Sequence, residues 1–261
     1  MQRLLKVMAD LRNQETGCSW DKKQDFKSLI PYVLEEAYEV VDAIEREDTQ
    51  DLCAELGDLL FQVVFQAQVA KEQGLFDFDQ IVTAVTDKLI SRHPHVFAGV
   101  TYANEAEQKQ AWETFKAAER KDKEQENHRI LSGVARNLPA LVQCEKIQDR
   151  AAQHGFDWTE IEPVYDKVLE ELDEVKEAWE SGDQAHIEEE IGDLILVAVN
   201  LARHMNVKPE QALKKSTDKF KRRFEYIENA VENSGREVKQ CELDELDALW
   251  NEAKMAFKQS T

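Results

Sequence analysis

LEEAYEVVDA (34–43) and ELGDLLFQVV (55–64) return further along the chain as LEELDEVKEA (169–178) and EIGDLILVAV (190–199). The first pair shares six identities in ten and the second five in ten, and both keep one offset of 135 residues. Helical composition bias does not hold a single spacing across two blocks, so these stretches mark an internal duplication. The likeness extends outwards with small changes of loop length. Arg12, Gly17 and Trp20 recur at Arg150, Gly155 and Trp158, Lys88 and Arg92 at Lys219 and Arg223, and Trp112 and Lys116 at Trp250 and Lys254. Between the copies, KDKEQENHRILSGVARNLPA (121–140) is polar and then carries Gly133 and Pro139, as a linker does. The expected organisation is a first unit over 1–122, a linker over 123–138 and a second unit over 139–261.

Each copy reads as several helices. Charged residues make up 33% of the 261, against nine Gly and five Pro, a balance that favours long amphipathic helices over turn-rich sheet. In the second copy one helix begins near Pro163 and stops at Ser181, Gly182 and Asp183. The next runs from about Gln184 to Met205, with Ile187, Ile191, Leu194, Ile195, Ala198 and Leu201 at helical spacing and Pro209 soon after. So short a turn makes the two antiparallel neighbours. Stretches near 209–233 and 242–258 supply the remaining helices of an all-α bundle.

Carboxylates stand out on this pair. Glu171 and Glu174 are three apart and project from one face, with Glu170 and Glu177 flanking them, and Glu190 and Asp193 repeat the spacing among the apolar positions of the next helix. Antiparallel pairing brings the two sets together. Half-buried carboxylates at close range repel, and they persist where a cation neutralises them. Oxygen ligands without Cys or His favour Mg2+ or Mn2+, and no histidine has a Glu three residues before it, as di-iron bundles require. A lone Glu-x-x-Glu is ordinarily a solvated helix face; two pairs on adjacent helices, duplicated at fixed spacing, favour a site.

The net charge of −20 weighs against nucleic-acid partners, and any anion site must carry its own cations. Cys18, Cys53, Cys144 and Cys241 lie far apart with no CxxC pair, which points to neither zinc nor disulfides and fits a reducing cytoplasm. The N-terminal stretch is interrupted by Arg3, Lys6, Asp10 and Arg12, and no apolar run is read as approaching the ~20 residues of a membrane span.

EExxE followed by ExxD, in Glu170, Glu171, Glu174, Glu190 and Asp193, resembles the MazG family of nucleoside triphosphate pyrophosphohydrolases. GCSWD (17–21), ELGDLLFQVVF (55–65), RHPHVF (92–97) and the tandem arrangement carry the likeness over almost the whole chain. The resemblance implies two tandem helical bundle domains, a homodimer, and dependence on Mg2+ with Mn2+ as a substitute. It also implies broad hydrolysis of NTPs and dNTPs to monophosphate and pyrophosphate, as in control of nucleotide pools. Glu171, Glu174, Glu190 and Asp193 would then be metal ligands. Lys219, Arg222 and Arg223 would meet the phosphates, Trp250 would lie against the nucleotide, and Lys167, Glu170 and Glu189 would line the pocket. Glu170 is also the candidate general base. The family carries Lys where this chain has His186, which is placed with the pocket residues as a departure from the pattern.

The two copies differ in cations. Lys219, Arg222 and Arg223 in KFKRRF stand against Lys88, Ser91 and Arg92, and Lys167 against Tyr32, so the second copy is better equipped to hold an anion and the first is expected to be structural. Each cation taken singly is equally an ordinary surface charge, and Trp112 reads as a core or interface anchor. His93, Pro94 and His95 read as a turn around Pro94, without assigned chemistry. The competing class is a non-catalytic helical scaffold or nucleotide sensor whose acidic stripe only mediates assembly.

Overall fold

The computed structural model describes residues 1–105, 107–108, 110–112, 114–115 and 129–258. The first half runs through α1 (Gln2–Leu11), α2 (Ile30–Glu45), α3 (Thr49–Glu72), α4 (Phe78–Arg92) and the short α5 (Pro94–Phe97). The second runs through α6 (Ala140–Gln153), α7 (Glu162–Ser181), α8 (Gln184–His204), α9 (Pro209–Asn233) and α10 (Leu243–Lys258). No strand occurs among the described residues, and the chain divides into two units, Met1–Glu124 and Gln125–Thr261. Lys116 and residues 123–128 of the expected linker lie outside the described residues; 129–138 form turns and irregular backbone.

Each unit is organised on a helical hairpin, α2 against α3 and α7 against α8. Gly182 (φ 71°) ends α7 in the left-handed conformation, and Asp183 caps α8 by accepting from the Ala185 amide at 3.0 Å. The matching positions of the first hairpin are Glu47, also left-handed (φ 57°), and Asp48, which accepts from the amides of Gln50 and Asp51. A left-handed residue with a side chain costs roughly 1 kcal/mol, so the turn dictates the conformation at Glu47 against that residue's own preference.

Met8, Leu29, Val64, Phe65 and Val69 form the core of the first unit, with Phe26, Tyr32 and Phe61 packed against it. Arg12 ties its layers together. Its guanidinium donates to Glu72 Oε2 at 2.6 Å and to the carbonyl oxygens of Asp21 and Gln24 at 2.5 and 3.0 Å, linking α1, the 21–24 turn and the end of α3. Burial pushes the Glu72 carboxyl up, but hydrogen bonds from Arg12 and Gln68 outweigh it and hold the group below the usual range. Gly17 closes the same loop where a Cβ would meet the Leu11 carbonyl oxygen at 2.3 Å, so no other residue fits.

In the second unit Val164, Ala178, Val197, Val199, Ile227, Val231 and Ala253 are buried. The apolar stripe expected to face the core of α8 is only partly covered. α6, α7 and α9 pack against α8, where Val197, Val199 and Asn200 are buried, while Ile191 and Ile195 of α8 and Leu169, Leu172 and Trp179 of α7 stay exposed.

Thr49–Glu72 is interrupted by Asp51, Glu55 and Asp58, yet an 18-residue window of it reaches a mean hydropathy of 1.2, long and apolar enough by length and composition to cross a membrane. Gln62, Val64, Phe65, Ala67, Val69 and Ala70 of this helix are buried within its unit, and a core helix has the same composition.

Arg12→Ala leaves the Glu72 carboxylate and two backbone carbonyls without their donor and is expected to cost about 2 kcal/mol in urea unfolding. Replacing Arg46, whose pairs with Asp42, Asp48 and Asp51 lie on an exposed surface, by Ala is expected to cost clearly less than Arg12→Ala in the same measurement. Equal losses would show that the Arg12 network is no more than a surface pair.

Candidate functional site

The α7–α8 hairpin gathers three carboxylates. Glu171 and Glu174 from α7 and Glu190 from α8 each offer an oxygen, all within 4.8 Å of one another. Glu171 is 5% exposed, and its Oε2 has no hydrogen-bond partner. Its Oε1 accepts from Lys167 Nζ at 2.7 Å, and the same ammonium reaches Glu170 Oε1 at 2.9 Å, so hydrogen bonds to Glu171 and Glu170 push the Lys167 pKa up. The Glu174 carboxyl is pushed up by burial and by the charges of Glu171, Glu190 and Glu170, against the opposing pull of Lys167. His186 Nε2 lies 3.2 Å from Glu190 Oε1, one turn back on α8. Oxygen donors, one of them a buried carboxylate oxygen without a donor of its own, suit a hard divalent cation such as Mg2+.

Asp193 and Glu189, expected in the same site, are exposed on α8 and stand outside the three-carboxylate group. A second grouping forms between α9 and α10. The Arg223 guanidinium sits 5.3 Å from the Trp250 ring centroid, and Phe220 packs on Trp250 at 5.0 Å and stacks with Phe224. Arg223 Nε is buried without a partner, an oriented donor lacking an acceptor. Lys219 and Arg222 are exposed, and among the described residues their side chains make no hydrogen bond or ion pair. Of the four cations of KFKRRF, Arg223 is held against an aromatic ring, Lys219 and Arg222 face solvent, and Lys221 pairs with Asp218 at 3.9 Å on the exposed surface.

A model of the MazG nucleotide pyrophosphohydrolase domain matches the chain twice, over residues 24–97 and 160–227. The chain belongs to the MazG family. The chain is an enzyme, which sets aside the scaffold reading. The nucleoside triphosphate pyrophosphohydrolase of Escherichia coli (strain K12) is 51% identical over 256 residues, 97% of each chain. The nucleoside triphosphate pyrophosphohydrolase/pyrophosphatase MazG of Thermotoga maritima is 41% identical over 256 residues, 97% of this chain and 95% of its own. The second matched segment holds the carboxylate group and Arg223, while Trp250 lies beyond it.

The first MazG domain assembles a matching group that the comparison of cations passes over. Glu36 and Glu39 of α2 and Glu55 of α3 also bring oxygens within 4.8 Å of one another. The signal was present in the alignment, since these positions are the counterparts of Glu171, Glu174 and Glu190. Arg92 likewise lies over Trp112 at 5.7 Å, as Arg223 does over Trp250.

The raised Glu174 carboxyl fixes a pH dependence. A folded pKa above the unfolded one means the folded state holds this proton more tightly, so the group's contribution is fully present below its unfolded pKa and is lost as pH rises through the folded value. In EDTA, Glu174→Gln is therefore expected to melt above the parent chain at pH 7, with the gap narrowing as pH falls to about 5. A gap of constant size across that range would place Glu174 in an uncrowded environment.

Proposed function

We propose that the C-terminal unit, taken as residues 139–261, hydrolyses the α–β phosphoanhydride of nucleoside triphosphates, releasing the monophosphate and pyrophosphate. The observation that carries this reading is the Glu171–Glu174–Glu190 group inside a matched MazG domain. Mg2+, or Mn2+ in its place, would be held by Glu171, Glu174 and Glu190, with Asp193 one turn further on as the fourth ligand. A bound divalent ion there supplies neutralisation of the triphosphate and activation of water.

The chain's own residues supply the rest. Arg223, oriented on Trp250 with a free buried donor, meets the phosphates together with Lys219 and Arg222, and these cations stabilise the pyrophosphate leaving group. Trp250 offers its ring to the base. A stacking contact that reads no base edge, and cations that read only phosphate, accept NTPs and dNTPs broadly. Lys167 and His186 hold Glu171 and Glu190 in position, and Glu189 lines the rim. Glu170 stands beside the three-carboxylate group and is assigned the proton of the water that attacks the α-phosphorus.

The exposed apolar residues Leu169, Leu172, Trp179, Ile191 and Ile195 of α7 and α8 suit a homodimer, with a second copy covering them. Four free cysteines suit a reducing cytoplasm, with neither membrane nor nucleic acid as a partner.

Full-length protein incubated with ATP and Mg2+ is expected to yield AMP and pyrophosphate by ion chromatography; ADP with phosphate, or unchanged ATP, refutes the reading. Glu190→Gln should lower kcat/KM by on the order of a hundredfold or more with helical content unchanged, whereas Glu55→Gln should retain turnover. The reverse pattern would move the chemistry to the N-terminal unit.

A further inference from the structure

A cavity of about 310 Å3 opens in the N-terminal unit between α1, α3 and the start of α4, and none of its lining residues belongs to either carboxylate group. Leu5 and Ala9 line it from one face of α1, Val64 and Ala67 from one face of α3, and Phe78 from α4. Val64 and Ala67 are 1% and 2% exposed, so the floor lies at the depth of the core and is apolar. Charges of both signs stand on the rim, Lys6 and Lys71 against Asp77 and Asp79. A volume of roughly 300 Å3 or more, with an apolar floor and a few polar groups around it, is the form of a small-molecule site.

The rim charges are not consumed by one another. Among the described residues the side chains of Lys71 and Asp79 make no hydrogen bond or ion pair, and Lys6 reaches only Asp10, at 3.8 Å on an exposed surface. Asp77 uses one oxygen to cap α4, accepting from the Gln80 amide at 3.0 Å. An ammonium and a carboxylate that flank one cleft without meeting fit a ligand that carries the opposite pair.

The second unit shows the same place without these features. Ala9 is matched by Ile147, Gln68 by Arg203 and Asp77 by Lys208. Lys208 Nζ donates to the buried Glu145 at 2.6 Å and ties the start of α9 to α6. The first unit has Val7 and Asp77 at the positions of Glu145 and Lys208 and cannot form that bridge. Packed interiors rarely keep a void that a larger side chain could fill, and the matching helix carries that larger side chain.

We propose that this cavity binds an apolar α-amino acid, its side chain on Val64 and Ala67, its carboxylate toward Lys71 and its ammonium toward Asp79. The ligand class follows from the lining alone: an apolar floor sized for one side chain, and one unpaired charge of each sign at the mouth. The first unit thereby has a ligand of its own, and the proposal does not rest on the activity assigned to the C-terminal unit.

The test titrates the full chain with L-leucine and with L-phenylalanine, by calorimetry and by melting temperature. One site per chain is expected, with a Kd on the order of 1 mM or tighter and a melting temperature that rises with ligand concentration. 3-Phenylpropionate, which lacks the ammonium, and 2-phenylethylamine, which lacks the carboxylate, should each bind at least about tenfold more weakly. Ala9→Ile, which copies the second unit, should abolish binding while release of AMP from ATP stays within about twofold of the parent. Lys71→Met and Asp79→Asn, at exposed positions, should each weaken binding about tenfold, and they carry the test if circular dichroism shows that Ala9→Ile does not fold. No saturable binding of either amino acid up to about 20 mM, equal binding of the singly charged analogues, or binding unchanged in the folded variants overturns the proposal.

Discussion

Like charges brought close on two rigid rods constrain this molecule most strongly. Neither α7 nor α8 needs its acidic residues for helix formation, and an isolated hairpin of the same apolar pattern would be more stable without them. The fold nevertheless directs Glu171, Glu174 and Glu190 to one place and surrounds them with neighbours that limit the damage. Lys167 bridges the inner carboxylate to Glu170, and His186 stands by Glu190.

Duplication allowed the two hairpins to keep this arrangement while changing what balances it. The first unit has Tyr32 and the buried amide of Gln62 where the second has Lys167 and Val197, and the second carries an additional guanidinium, Arg222, where the first has Ser91. Backbone architecture did not have to change for this, because the caps and the left-handed turn residue of each hairpin occupy matching positions. The Arg–Trp pair was retained in both, which separates the packing role of that contact from whatever only the second copy does with it.

Much of the fold was legible because its signals are local. Pro163, Gly182, Asp183 and Pro209 punctuate the second copy, and the helices begin and end within about two residues of where these residues place them. Periodicity was a weaker guide to burial. It identifies α8 as amphipathic but does not say which neighbours arrive, and Val197, Val199 and Asn200 are covered where Ile191 and Ile195 are not. The site was legible in part for the same reason. Spacing along a helix places Glu171 beside Glu174, and the hairpin adds Glu190, yet Asp193 shares the spacing of Glu190 and stands outside the group. That Arg223 rather than Arg222 meets Trp250, and that Gln62 faces Glu36, depend on contacts between helices that no spacing in the sequence records. The N-terminal group follows from the duplicated spacing, although the cations that distinguish the second copy are absent from its matching positions.

The left-handed residue between the paired helices also limits how the chain can evolve. Each residue inserted at Gly182 would turn α8 by about 100° about its axis relative to α7 and carry Glu190 to another side of the hairpin. Connections elsewhere have no such phase to keep: Trp20 and Trp158 lie 138 apart and Lys88 and Lys219 131 apart, while everything across the two hairpins remains at 135. The turn acts as an angular lock, and the unbroken offset of 135 across both hairpins is the trace it leaves.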